Sequence, residues 1–322
     1  MLSVIIPTYN RCAQVARTIG AIASQRDVRD DVEVIVVVDG STDDTVATLT
    51  ALRTPMSVRV VEQAHAGQAA ARNRGAALAQ GAMLVFLDDD MMPHPDFLSR
   101  IQASSAAGAD YVITTVRMGP WVPDTMLSRE FKQWTSAPAG PDDTPVRYDE
   151  MLFSAHAVRR SHFEAVGGFD EAFTRDGGYG NEDVDLGQRL LRNRAVVRRC
   201  PAAIADTEPT LDAERVLERE RLVGRNDVRL VQRYPELMSE VFTHKLTRSR
   251  AHRIAGTALL RTPWLALAVT PVRKTVTTMI AAGAVNSVLA RAWSFCRAVQ
   301  YWRGVIEAGG RGVMRSVTTS GS

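Results

Sequence analysis

Four short strand-like runs recur through the first ninety residues, each but the last followed by a stretch with helical spacing. This alternation constrains the fold more than any other feature. Residues 2–7 and 33–38 ("EVIVVV") are short, β-branched and continuously apolar, the pattern of strands buried on both faces. Between them, Arg11 to Gln25 carries Val15, Ile19 and Ile22 at helical spacing. A second helix follows "DGSTDDT", where Ser41 or Thr42 can cap it. "SVRVVE" and a helix over Gly67–Ala79 come next, and "AMLVFL" (residues 82–87) ends abruptly in "DDDMMP". Such a rhythm implies right-handed βαβ units and a parallel sheet covered on both faces. Ligands of such sheets bind beyond the C-terminal strand ends.

After "DYVITTV" the rhythm breaks. Residues 117–148 hold Trp121, Trp134 and the turn-rich "SAPAGPDDTP", a long irregular excursion of the kind that covers active sites. Regular structure resumes before "VGGFDEAF", and a charged helix from about Leu211 to Tyr234 leads into a basic tail. With 322 residues, 45% of them hydrophobic and 23% charged, the chain suffices for one large α/β domain with appendages.

The formal charge of +3 hides an asymmetry. From Lys245 onward, twelve Lys and Arg face a single acid, Glu307, a net of +11 that leaves −8 for the remainder. A basic tail on an acidic body points to an anionic partner. The longest charge-free run of the tail, Thr275 to Ala290, is 16 residues, short of the ~20 that a spanning helix needs. Two readings stand for these helices. They lie in an anionic membrane interface, or they pack on the body or on a second copy of the chain. Nucleic acid is not expected, because few aromatics interleave the cations. Cys12, Cys200 and Cys296 form no CxxC pair, so neither a disulfide framework nor a zinc site is expected. The chain opens on "LSVIIPTY", without the n- and h-regions of a signal peptide. A cytoplasmic location follows as the expectation, peripheral to the inner face of the plasma membrane if the tail binds it.

Three acidic features fall at strand ends on one edge of the expected sheet: Asp39 after "EVIVVV", Asp88, Asp89 and Asp90 after "MLVFL", and Glu182 with Asp183 opening a later helix. Adjacent carboxylates repel in a partly buried site unless a cation or a shared proton intervenes. "DDD" directly after an apolar strand is best explained by Mg²⁺ or Mn²⁺ bridging to a substrate phosphate; solvated loop acids are the alternative. In "GGYGNEDVDLGQRL", helix capping competes with catalysis. Asp183 and Asp185 stand about 200° apart around a helix and cannot serve one site. Asp185 pairs with Arg189 at i, i+4 on the helix surface.

In these pieces the chain resembles the family-2 inverting glycosyltransferases. They are "SVIIPTYN", "EVIVVVDGSTDDT", "GQAAARNRGAALAQGAMLVFLDDDMMP", "GGFDEAF" and "GYGNEDVDLGQRL", in that order over residues 1 to about 210. A Rossmann dehydrogenase is disfavoured, since no GxGxxG follows the first strand. The resemblance implies a GT-A-type fold: a largely parallel α/β sheet flanked by helices, with a helical C-terminal extension. Residues 1–116 would form the nucleotide-sugar-binding half and 117–240 the acceptor and catalytic half, with 241–322 the basic amphipathic tail.

It also implies roles. Pro7, Thr8 and Tyr9 hold the nucleotide; Pro7 fixes the turn leaving the first strand and Tyr9 can stack on a base. Asp39 accepts from the base, as a carboxylate can from uracil N3–H. Arg72 is the cation near the nucleotide, although an Arg on an exposed helix is unremarkable. Asp88 and Asp90 form the DxD that meets ribose and a Mn²⁺ or Mg²⁺ cofactor, with Asp89 as support. Asp183 is the general base and Glu182 orients it or the acceptor. Two departures stand out. Asn181 replaces a frequent Trp, and "CPAAIADTEP" lacks the His that completes the metal shell, leaving Asp206 as a substitute ligand. The expected activity is metal-dependent inverting transfer from a UDP- or dTDP-sugar to a lipid-linked or cell-surface glycan. The alternatives are a soluble natural-product acceptor and a catalytically silent sugar-nucleotide-binding scaffold.

Overall fold

Apolar, mostly branched side chains make up β1 (Leu2–Thr8), and every residue of it is buried. In the computed structural model β1 lies inside an eight-stranded sheet. The structure describes residues 1–28, 31–132, 138, 140–151, 153–243, 250–262 and 269–310. Chain order continues with α1 (Cys12–Ala23), β2 (Val32–Asp39), α2 (Thr45–Ala51), β3 (Val58–Gln63), α3 (Gln68–Leu78) and β4 (Met83–Phe86). Then follow β5 (Met91–Pro93), α4 (Phe97–Ala106), β6 (Tyr111–Met118), α5 (Met126–Phe131), β7 (Ala157–Arg159), α6 (Arg160–Ala165), α7 (Glu182–Arg192) and β8 (Val197–Thr207). Among the described residues, the α-helices that follow are α8 (Ala213–Arg233), α9 (Arg250–Arg261), α10 (Thr270–Ala281) and α11 (Ser287–Glu307).

The sheet order is β3-β2-β1-β4-β7-β6-β8-β5. β1 to β4 pair in parallel, as do β6 and β8, whereas β7 runs antiparallel to both neighbours and β5 antiparallel to β8. The expected alternation therefore holds through β4. Of the antiparallel strands, β5 follows β4 before the sequence rhythm is lost and β7 comes after it. Alternate residues of one strand feed opposite faces: Val4 and Ile6 join a core with α1 and α4, and Ile5 joins one with α3 and α7. That is why these strands read as continuous apolar runs.

Two local expectations are corrected. Pro7 is not in the turn; it lies within β1 opposite Val37, beyond Ile5, the last residue that β4 pairs. Neither Ser41 nor Thr42 caps α2. Asp43 Oδ1 accepts from the Thr45 amide at 3.1 Å, while Ser41 and Thr42 bind Asn10.

The chain divides into two units. One comprises Met1–Val122, Phe131–Gly177 and Glu182–Pro209; the other comprises Pro123–Glu130, Gly178–Asn181 and Thr210–Ser322. The second is helical, with a core drawn from Leu127, Leu217, Val276, Leu289 and Trp293. Its α11 buries Trp293, Tyr301 and Trp302 completely. Gly224 and Gly304 let α8 and α11 approach closely, since a Cβ on Gly304 would stand 1.8 Å from the Arg221 carbonyl oxygen. The charge-free run from Thr275 to Ala290 is broken between α10 and α11. Among the described residues, no helix is long and apolar enough to cross a membrane. Trp134, Lys245 and residues 263–268, most of the apolar run 262–272, lie outside the described residues.

Candidate active site

All the expected acids of the site belong to the sheet-bearing unit, and α3 joins them. Its entry requires Gly67, which has φ +95°, and a Cβ there would meet the Thr174 carbonyl oxygen at 2.5 Å. Small residues then let α3 press on the sheet, and a Cβ on Gly75 would strike Ile5 at 2.4 Å. This close packing buries Arg72 to 2% exposure, so Arg72 does not sit on an exposed helix face. Its guanidinium donates to Asp88 Oδ1 at 2.7 Å and to Glu182 Oε1 at 3.0 Å, with its carbon 5.2 Å from the centre of the Phe169 ring. The loop after β4 and the start of α7 thus share one cation.

The three aspartates of "DDD" part company. Asp88 is held by Arg72 and by Gln68 Nε2 at 2.8 Å. Asp89 is buried and accepts from Thr8 Oγ1 at 2.8 Å and Arg11 Nη1 at 2.9 Å. Thr8 therefore turns inward to Asp89. Arg11, which the sequence reading missed, also reaches Asp90 Oδ2 at 3.2 Å. Burial, then Asp89 and Asp88, push the Asp90 carboxyl up to about 7. Carboxylates that repel until a proton is retained form a donor set that a divalent cation relieves. Asp88 Oδ2 and Asp90 Oδ1 accept from no described residue, so both are free to coordinate. Among the described residues, no third His, Cys, Asp or Glu joins them. The pair fits Mg²⁺ or Mn²⁺ only if diphosphate oxygens and water complete the shell.

Asp206, the substitute ligand expected from the sequence, is engaged by other side chains. Arg117 Nε reaches its Oδ1 at 3.0 Å, and His94 Nε2 lies 2.9 Å from its Oδ2.

At the head of α7, Asp183 is half-buried and its Oδ1 accepts from the Val184 amide at 2.8 Å. Burial, followed by the charge of Glu182, raises its carboxyl from 3.8 to about 7. Burial also raises Glu182, against the pull of Arg72. Glu182 Oε2 is buried with no hydrogen-bond partner among the described residues. Asp185 pairs with Arg189 at 2.7 Å as the spacing predicts, but it is wholly buried, not on the surface. Asn181, before α7, takes a left-handed φ of 72° and donates to Asp227 at 2.7 Å within the helical unit.

The third group lies past β1, β2 and β3. Asp39 is 3% exposed and accepts from Gln63 Nε2 at 2.7 Å and from the amides of Ala66 and Gly67 at 2.9 Å each. His65 Nδ1 lies 2.9 Å from its Oδ2. Tyr9 is largely exposed and stacks on His65, ring centres 4.5 Å apart. Nothing in the sequence alone distinguished His65 from the other histidines.

Acids beyond the C-terminal ends of parallel strands, a buried arginine linking two of them and a carboxyl raised to about 7 together make up the candidate site. The model of glycosyl transferase family 2 matches residues 3–166, and the chain belongs to that family. The N-terminal domain of galactosyltransferase matches residues 141–211. Among curated proteins, validoxylamine A glucosyltransferase of Streptomyces hygroscopicus subsp. jinggangensis is 30% identical over 75% of this chain and 63% of its own. The pre-mycofactocin glycosyltransferase of Mycobacterium tuberculosis is 26% identical over 73% of this chain and 48% of its own. The chain thus spans about three-fifths or less of these relatives. Among solved structures, the Pyrobaculum calidifontis mannosyltransferase in complex with GDP-Man and Mn²⁺ aligns at TM-score 0.59 and 20% identity, covering 95% of this chain and 86% of its own. S. aureus TarS in complex with UDP aligns at 0.56 and 17%, covering 97% and 91%. At such identities these two share the fold.

Proposed function

We propose that this glycosyltransferase is inverting and metal-dependent, moving a sugar from a nucleoside-diphospho-sugar to an acceptor hydroxyl with Asp183 as general base. The observation that carries this reading is the double ion pair of Arg72. It gathers the DDD loop and the Glu182–Asp183 pair into one site. The acceptor oxygen attacks the anomeric carbon, the bond from that carbon to the diphosphate breaks, and the hydroxyl proton passes to Asp183. A carboxyl poised near neutrality suits that task. Glu182, fixed by Arg72, holds the head of α7 against the loop after β4. Asp88 and Asp90 would hold the cation, which would supply charge neutralisation to the departing diphosphate. Asp89 with Thr8 and Arg11 keeps that loop in place. Tyr9 and the loop after β3 receive the nucleotide, with a UDP- or dTDP-sugar as donor.

For the acceptor, a soluble natural product is favoured over a lipid-linked glycan. The validoxylamine A glucosyltransferases support this, aligning over 75% of the chain. So does α11, whose tryptophans are spent inside its own unit. A screen of nucleotide sugars by thermal shift with Mn²⁺ tests the donor; one of them should stabilise the protein. Product NMR then tests the stereochemistry. Retention at the anomeric carbon would overturn the direct displacement.

A further inference from the structure

The guanidinium of Arg11 is used along one edge only. Nη1 meets the loop after β4, 2.9 Å from Asp89 Oδ1 and 3.2 Å from Asp90 Oδ2. A guanidinium carries five N–H donors in a fixed fork. Nη1 supplies two of them, and no described residue accepts from Nε or Nη2. Neither of those nitrogens is sealed from solvent, and the side chain is 20% exposed. The open edge stands between β1 and α1, beyond the strand ends where parallel sheets bind ligands.

Arg11 and a divalent cation compete for one carboxylate. Arg72 answers Asp88, while Arg11 is the cation set against both Asp89 and Asp90. Asp89 has Thr8 as a second donor. Among the described side chains, Asp90 has Arg11 alone. A cation held by Asp88 and Asp90 without substrate phosphates would have a poor donor set, and it would face the like charge of Arg11. A diphosphate reverses that balance. Its oxygens add ligands for the cation, and its charge draws the open Nε–Nη2 edge, which matches a phosphate bidentately.

We propose that Arg11 makes cation binding conditional on the donor's diphosphate. Its Nη1 holds Asp90 before the donor arrives, and its Nε–Nη2 edge takes diphosphate oxygens when donor and cation bind together. The cation and the nucleotide then tighten each other by the same factor. This coupling rests on the nucleotide-sugar and cation reading above and adds to it the order in which the site is assembled.

Free Mn²⁺ counted by electron paramagnetic resonance tests this on the full chain. Binding is measured at pH 8, above the value of about 7 to which the Asp90 carboxyl is raised. Mn²⁺ is added alone and with saturating UDP or GDP, and the metal bound by nucleotide in free solution is subtracted. In the wild type, UDP or GDP should tighten Mn²⁺ by at least about tenfold, an ordinary size for a coupling between two sites. Arg11→Gln keeps a donor for Asp89 and removes the charge. It should bind Mn²⁺ alone about three- to tenfold more tightly than the wild type, the repulsion having gone, and should lose most of the tightening by nucleotide. Arg11→Lys keeps the charge without the fork, so it should bind Mn²⁺ alone as weakly as the wild type and show part of the tightening. A tightening within about twofold of wild type in Arg11→Gln, or Mn²⁺ alone bound no more tightly there, would overturn the assignment and leave the nucleotide-sugar reading standing. So would an Arg11→Lys that behaves as Arg11→Gln, or a wild type whose Mn²⁺ affinity neither nucleotide alters. A wild type that binds neither nucleotide would defeat both readings.

Discussion

Arg72 Nη1 stands 3.0 Å from Glu182 Oε1, with both side chains almost fully withdrawn from water. The two are separated by 110 positions in the chain, and their contact, shared with Asp88, organises the site.

Removing one partner of a buried pair leaves the other charge uncompensated, typically a loss of about 3–5 kcal/mol. Arg72→Met should therefore lower the melting temperature markedly. Adding Glu182→Gln to that variant should recover part of the loss. A thermal scan of the single and double variants checks both.

Asp183→Asn keeps the shape of the side chain and removes the base. Transfer should fall by about 10²–10⁴, with nucleotide binding unchanged by calorimetry. Steady-state kinetics with the donor found in the screen measures the first effect.

The raised carboxyl of Asp183 gives activity and stability opposite slopes. Transfer needs the carboxylate, so kcat/KM should climb as pH rises through about 7. The folded chain meanwhile keeps a proton that the unfolded chain has released above its ordinary 3.8. Stability from this group is thus full below that value and is lost as pH rises through about 7. The apparent midpoint belongs to the Glu182–Asp183 pair. Asp183→Asn should flatten its share of the stability slope, read by thermal scans from pH 4 to 9.

Chelation should stop transfer and Mn²⁺ should restore it. Asp90→Asn should remove the thermal stabilisation by Mn²⁺ measured with UDP present. Equal melting with and without the metal in the wild type would sink the cation model.

In the helical unit, Gly304→Ala should destabilise by about 1–3 kcal/mol or more through overpacking, because its Cβ would strike the Arg221 carbonyl. Gly20→Ala, in α1 with nothing within 4 Å, should instead stabilise by roughly 0.5–1 kcal/mol. Urea unfolding of the two variants makes the comparison.

Local pattern carried the part of this protein that depends on neighbours in sequence. Continuous β-branched runs revealed β1 and β2, and acids after such runs marked the edge of the candidate site. The expected i, i+4 pair of Asp185 and Arg189 is present. Hydrogen bonds between distant segments were illegible. Arg11 reaches Asp89 and Asp90 from 78 and 79 positions away, and no spacing rule announces it. Arg72 read as ordinary because its burial comes from glycine-permitted packing of α3, and Asp206 read as available because its partners Arg117 and His94 come from other elements. Pro7 read as a turn because β4 stops pairing at Ile5, which the strand's own residues do not reveal.

The cations of the tail are not all addressed outward. Arg297 binds Glu130 and Glu220, Arg273 approaches Glu214 at 3.8 Å, and Arg303 meets Glu307 at 2.9 Å. Three of those acids precede the tail in the chain. At physiological ionic strength, where fields fade within about 8 Å, a distant anionic surface senses dipoles at these positions in place of monopoles. Electrostatic attraction counted along the sequence therefore overstates what the folded helices exert.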